Sequence, residues 1–117
     1  FCEMMLGSGE RGGVRVLSCA MHARITHPLT PPGLPTRGLG WDLRPYPESP
    51  ARGRLLSPSA YGHTGWTGQA VWMDPERGLY VIVLTNRVHP VWRGDDDGSN
   101  EARAEITDLL VEAFSGP

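Results

Sequence analysis

Apolar and polar positions along this chain change their spacing several times, and each change marks an element. Phe1, Met4 and Met5 fall at i, i+3 and i+4, one face of a helix. Gly7 and Gly9 stop it, so the spacing predicts the last turns of a helix. Gly12-Gly13 predicts a turn into a short apolar stretch at Val14, Val16 and Leu17. Ser18 then offers an N-cap for a brief helix through about Ile25. His27-Pro28 ends that helix, because the residue before a proline is pushed out of the α region. Four prolines between 27 and 37 make a loop. Gly38–Leu43 reads as a strand, with Leu39, Trp41 and Leu43 on one face. Residues 44–60 are rich in Pro, Arg and Ser and follow no period. A connection of that length is usually functional or covered by a partner.

The pattern is strongest further on. Gly68–Asp74 and Leu79–Asn86 are apolar runs joined by Asp74-Pro75-Glu76-Arg77-Gly78. Asp at the first position, Pro at the second and a late Gly are what a tight turn with a left-handed residue requires. The two runs are therefore predicted to pair as an antiparallel hairpin. Leu79, Val81 and Val83 alternate with Tyr80, Ile82 and Leu84, so both faces of the second strand are apolar and both are predicted to be covered. Helices must then lie above and below the sheet. A helix over about Asn100–Phe114 is predicted to supply one cover. Its stripe is Ala102, Ile106, Leu109, Leu110, Ala113 and Phe114, with Glu101, Glu105, Asp108 and Glu112 facing away.

Composition narrows the chemistry. The chain has 117 residues, a formal net charge of −2, and 11 basic residues that are all arginine. An acidic balance argues against nucleic-acid binding, which needs a basic surface. With no lysine, no lysine base or Schiff base can come from these residues. The longest apolar run, Leu79–Leu84, is far too short to cross a bilayer. The chain shows no charged-then-apolar leader pattern, and the compartment stays open. Phe1 stands first and the opening helix lacks a start, which predicts that the chain is part of something longer.

Cys2 and Cys19 make neither a disulfide framework nor a zinc site, and read as small buried apolar residues. Asp95-Asp96-Asp97-Gly98-Ser99-Asn100 lacks the alternating ligands and final Glu of a calcium loop. It reads as a solvated turn with negative charge near a helix N-terminus. The four histidines show no metal-ligand spacing, so neither a metal nor a cofactor is expected. His22 and His27 read as surface or loop residues.

His63 differs in its company. Tyr61-Gly62-His63-Thr64-Gly65-Trp66-Thr67-Gly68 sets three glycines around one imidazole and two threonine hydroxyls. Such glycine density leaves backbone N–H groups open to a ligand at the start of a rigid strand. It equally suits a strand packed closely against another backbone. Spacing alone does not separate the two.

His63-Thr64-Gly65-Trp66-Thr67-Gly68, the hairpin from Asp74 to Thr85-Asn86-Arg87 and Gly38-Leu39-Gly40-Trp41 together resemble the serine β-lactamase-related hydrolases. That family includes class C β-lactamases, DD-peptidases, D-aminopeptidases and esterases, and the resemblance runs through the chain in order. It implies an α/β (α+β) fold, an antiparallel sheet flanked by helices. The chain would be the C-terminal part of such a β-lactamase/transpeptidase-like domain. Residues 1–37 would end its helical region, and 38–117 would carry the sheet hairpin and C-terminal helix.

The family carries three motifs, S-x-x-K, Y-x-N or a variant, and K-T-G or H-x-G. Only the third stands in these residues, as His63-Thr64-Gly65. The resemblance implies that the Trp66 backbone N–H is one donor of an oxyanion hole. It implies that His63, Thr64 and Gly65 contact substrate. Imidazole in place of the commoner ammonium can accept as well as donate, which leans toward ester, peptide or amide substrates over β-lactams. The implied partner is thus a small ester, amide or peptide, with no nucleic acid and no membrane span in these residues. The alternative is a non-catalytic sensor or ligand-binding homologue of the penicillin-recognising fold, and the upstream S-x-x-K would decide between them.

Overall fold

A computed structural model of the chain describes residues 1–94 and 97–114. Two helices open it, α1 (Cys2–Leu6) and α2 (Cys19–Thr26), with a small hairpin of β1 (Glu10–Arg11) and β2 (Val14–Arg15) between them. Gly12 and Gly13 turn that hairpin in left-handed conformations at φ +58° and +79°. Ser18 caps α2 as expected, its hydroxyl accepting from the Met21 N–H at 3.1 Å. The chain leaves α2 at His27 in an extended conformation.

The main sheet has three antiparallel strands in the order β3 (Tyr61–Thr64), β4 (Ala70–Asp74) and β5 (Leu79–Val83). The hairpin register runs from Asp74 opposite Leu79 to Ala70 opposite Val83. The turn chemistry therefore placed both strands, though each is shorter than its apolar run. The Asp74 carboxylate, fully buried, accepts from the Ser57 N–H (2.8 Å), the Arg77 N–H (3.2 Å) and the Arg77 guanidinium (3.0 Å). Burial alone would raise its pKa. The hydrogen bonds from Ser57 and Arg77 outweigh that and hold it below the usual carboxylate range.

Alternation along the strands puts a core on each face of the sheet. Trp72, Val81 and Val83 pack with Leu56, Ala60, Ala70 and Val111 beneath α3 (Ser99–Phe114). Tyr61 and Met73 pack on the other face with Cys2, Met4 and Met5 of α1. A mixed α/β fold with helices on both sides of an antiparallel sheet is thus what forms.

Four expectations are corrected. Gly38–Leu43 is not a strand. Gly40 adopts φ +85°, Gly38 donates to the Trp41 carbonyl at 3.0 Å, and the segment turns back so that Arg37 and Asp42 pair across it. Leu39 is consequently exposed, while Trp41 packs its ring 5.9 Å from that of Tyr61. Second, β5 is covered on one face only. Val81 and Val83 are buried, but Tyr80, Ile82 and Leu84 are exposed, because β5 is the outer strand and the short α1 reaches little of that face.

Third, the buried stripe of α3 is Arg103, Ala104, Thr107 and Val111, about one residue around from the predicted one. Ile106, Leu109 and Phe114 face outward and Leu110 is half-buried. Polar anchors set that rotation. Asp108 turns inward to accept from the Arg54 and Leu55 N–H groups at 2.7 and 2.9 Å, and Arg103 reaches the sheet as described below. Fourth, Cys2 is buried but Cys19 is exposed, both as free thiols. His22 is a half-buried helix residue whose Nε2–H donates to the Met5 carbonyl at 2.8 Å. Asp95 and Asp96 of the acidic segment lie outside the described residues; Asp97 accepts from the Ser99 N–H at the start of α3.

Residues 44–60 form no regular element, as expected, yet Ser49, Ala51, Arg52, Leu56, Ser57 and Ala60 are buried. Arg52 holds the segment from inside by donating to the Ser57 and Ala60 carbonyls.

The exposed faces of β5 and α3 generate one expectation. The isolated 117-residue chain should bind a hydrophobic dye such as ANS and associate as its concentration rises. Replacing Ile82 and Leu109 together by Lys should reduce both signals while leaving the circular dichroism unchanged. A wild-type chain that stays monomeric and dye-negative at high concentration would count against it.

Candidate active site

The site is built on the outer edge of β3. Gly62 sits where no side chain fits, since a Cβ there would lie 2.1 Å from the Val71 carbonyl oxygen and 2.3 Å from the Trp72 ring. On the edge away from β4, Gly62 exchanges both backbone hydrogen bonds with Asp42, at 2.7 and 3.1 Å. That pairing stops at Gly62. Beyond it, His63 and Thr64 line a cavity of about 200 Å³ together with Arg37, Asp42, Arg44 and Asn100.

His63 is exposed, and its Nδ1–H donates to the Thr64 carbonyl at 2.7 Å. A carbonyl can only accept, so in the neutral ring the lone pair sits on Nε2. The Asp42 carboxylate is clamped by Arg44 Nε (2.9 Å), Arg44 Nη2 (2.7 Å) and the Ser49 hydroxyl (2.9 Å). Burial would raise the Asp42 pKa; the bonds from Arg44 and Ser49 overcome it and leave it lowered. Arg37, half-buried at the cavity wall, spends its backbone N–H on the Thr30 hydroxyl at 3.2 Å.

Gly65–Gly68 is a tight turn closed by Gly68 N–H to the Gly65 carbonyl at 3.0 Å, and Gly65 donates to the Gln69 carbonyl at 2.7 Å. Every carbonyl through this stretch is engaged. Thr64 accepts from His63, Gly65 from Gly68, Trp66 from Arg87 Nε at 2.6 Å, and Thr67 from the Arg87 N–H at 2.8 Å. The Trp66 N–H, by contrast, has no acceptor among the described residues. Behind the turn, buried Arg103 donates to the Gly65 and Gln69 carbonyls, both at 3.4 Å, and to Asn100 Oδ1 at 2.6 Å. Burial pushes the Arg103 guanidinium below the ordinary arginine range, with neighbouring Arg87 adding to the shift.

Of the residues expected at the site, His63 and Thr64 thus share the cavity. Gly65 and Trp66 lie in the adjoining turn. Asp42, Asn100 and Arg103 complete the surroundings and were missed. Arg103 had one signal, since it stands four residues before Thr107 and eight before Val111, on a helical face less apolar than the one chosen. A cavity of about 620 Å³ lies elsewhere, between α2, Leu43 and Tyr61, and includes neither His63 nor Trp66. Among the described residues no three His, Cys, Asp or Glu side chains gather as metal ligands, and no helix is long and apolar enough to cross a membrane.

Comparison with known proteins fits this geometry. The beta-lactamase family model matches residues 9–106. The chain belongs to the beta-lactamase family. Proteins named "Putative D-alanyl-D-alanine carboxypeptidase" from Salmonella paratyphi B and Salmonella newport are each 36% identical over 88 residues, covering 74% of this chain and 20% of theirs. The chain therefore spans about one fifth of the length of the curated relatives it matches. The crystal structure of a beta-lactamase from Mycobacterium bovis superposes with a TM-score of 0.74 at 24% identity, over 99% of this chain and 42% of that one. At that identity the likeness is one of fold.

The Asp42 clamp gives a pH-dependent expectation. A carboxylate with a lowered folded pKa adds stability above its unfolded value, near pH 4, and loses it as pH falls through the folded value. Asp42→Asn should cost about 1–3 kcal/mol at pH 7 and less at pH 3, below the unfolded value. Thermal melts at the two pH values measure this. An equal cost at both would mean that the charge on Asp42 contributes nothing.

Proposed function

We propose that this chain supplies the oxyanion-side wall of an acyl-serine hydrolase acting on peptide or amide carbonyls. In this reading the nucleophilic serine and its base lie in sequence outside these residues, and residues 1–37 end the helical region of the same domain. The observation that carries the reading is the polarity of the turn after β3, with its carbonyls bonded and the Trp66 N–H left as a donor.

The serine oxygen attacks the substrate carbonyl carbon, and its proton passes to the base. The carbonyl π electrons move onto oxygen. The Trp66 N–H donates to that oxygen as its charge grows, with the nucleophile's own N–H as second donor. Collapse re-forms the carbonyl, breaks the bond to the leaving group, and returns the proton to it. Water then releases the acyl group by the same steps. One such fixed donor lowers a barrier by roughly 3–4 kcal/mol, because it is already in place when charge develops. Arg103 and Arg87 hold the donor by fixing the carbonyls around it. His63 and Thr64 meet the substrate along the open edge, where Nε2 of the neutral imidazole accepts from a substrate N–H. The carboxypeptidase name of the Salmonella relatives supports a peptide or amide substrate.

In the complete protein His63→Ala should lower kcat/KM for a D-alanyl peptide by about ten- to a hundredfold, the loss of one hydrogen bond to the substrate. His27→Ala should change little, and the isolated 117-residue chain should be inert toward peptides and p-nitrophenyl esters. Steady-state rates check all three. Turnover by the isolated chain that a serine-reactive inhibitor blocks would place a nucleophile among its own serines and overturn the reading. Wild-type rates in His63→Ala would remove His63 from the site.

A further inference from the structure

Trp66 contributes more than its N–H. Its indole is 62% exposed and stands beside that of Trp92, which is 49% exposed. The ring centroids are 5.9 Å apart and the planes meet at 48°, so the two exposed indoles stand against each other as one tilted aromatic pair. Leaving that much aromatic surface in water is unfavourable, and an exposed aromatic cluster marks a contact site.

The pair is also fixed. Arg87 lies 5.8 Å from the centre of the Trp66 ring while its Nε holds the Trp66 carbonyl. Its Nη1 reaches both the Gly94 carbonyl and the Asp97 carboxylate, each at 3.4 Å, on the segment that follows Trp92. One guanidinium therefore ties the turn carrying Trp66 to the loop carrying Trp92. Its charge is met by Asp97, which favours a neutral ligand on the rings over an anion.

We propose that Trp66 and Trp92 form an aromatic platform that selects substrates carrying a neutral aromatic ring next to the reacting carbonyl. The inference rests on the hydrolase reading above. A carbonyl oxygen on the Trp66 N–H lies within the same residue's reach of its indole, so a ring one or two bonds from that carbonyl can stack there. Trp92 widens the surface without touching the reacting atoms, and is a specificity residue.

The test uses the complete protein with two methyl esters matched in size, methyl phenylacetate and methyl cyclohexylacetate, followed by pH-stat. The wild type should favour the aromatic ester about two- to tenfold in kcat/KM, the range that aromatic pairing gives beyond plain burial. Trp92→Ala should erase that preference by lowering kcat/KM for the aromatic ester more than for the cyclohexyl ester, and Trp92→Phe should restore most of it. No aromatic preference in the wild type, or an equal loss on both esters in Trp92→Ala, would overturn the platform. If neither ester is hydrolysed, the D-alanyl peptide assay still decides the hydrolase reading and binding decides the platform separately. Phenylacetamide, and not cyclohexylacetamide, should then shift the indole N–H resonances of Trp66 and Trp92. Unmoved resonances would overturn it.

Discussion

A strand at the edge of a sheet must give each outward backbone group a partner, a solvent contact or a ligand. Much of this structure follows from how β3 meets that demand. Asp42 satisfies Gly62 on both its N–H and its carbonyl, and its own carboxylate is pinned by Arg44 and Ser49. The pairing then ends, one residue before His63. What decides where it ends is the turn at Gly38–Trp41, whose left-handed Gly40 brings Asp42 alongside the strand and sends the chain away again. A full strand over Gly38–Leu43 would have continued along β3 and closed the edge that the site uses.

The rest of the scaffold is held by charges placed where apolar patterning is weak. Arg52 and Asp74 are nearly or fully buried, and both bind the long segment without periodic structure, through Ser57 and Ala60. Arg103 does the same for the helix, joining its first turn to the Gly65–Gln69 turn. Arginine suits this work better than lysine would. Its planar fork reaches two acceptors at once and stays charged when desolvated. Each such contact is costly to break, because it would leave a charge buried without a partner.

Legibility in the sequence follows the same division. The hairpin could be read because Asp74, Pro75 and Gly78 force a turn whatever surrounds them. The α2 cap could be read because Ser18 acts on a backbone three residues away. Contacts set by distant polar partners could not. The rotation of α3 depends on Asp108 meeting Arg54 and Leu55 and on Arg103 meeting Gly65, and no period records those meetings. The apolar stripe at Ile106 and Leu109 was the stronger signal and pointed outward. The same holds for β5, where two apolar faces promised two covers and only one is present among the described residues. His63 and Thr64 were found by resemblance to a known motif, with glycine density as a weak companion signal. Asp42 and Asn100 carried no local signal at all.

In the hydrolase we propose, a third motif without lysine looks at first like a defect where negative charge develops. The backbone supplies the missing polarity. From Thr64 to Thr67 each carbonyl oxygen is already engaged, by His63, Gly68, Arg87 Nε and the Arg87 N–H in turn. An engaged oxygen has less lone-pair density to offer a ligand. What remains without an acceptor among the described residues is the Trp66 N–H, in a turn held by two guanidinium groups. A donor fixed in this way needs no reorganisation when charge appears, and that pre-set orientation is the larger part of its value. A mobile ammonium in the place of His63 would add charge but no further direction. The imidazole, tied by Nδ1 to the Thr64 carbonyl, instead gives the edge an acceptor beside that donor. For the hydrolase we propose, a peptide bond, with one acceptor and one donor, matches that arrangement better than a group that only accepts.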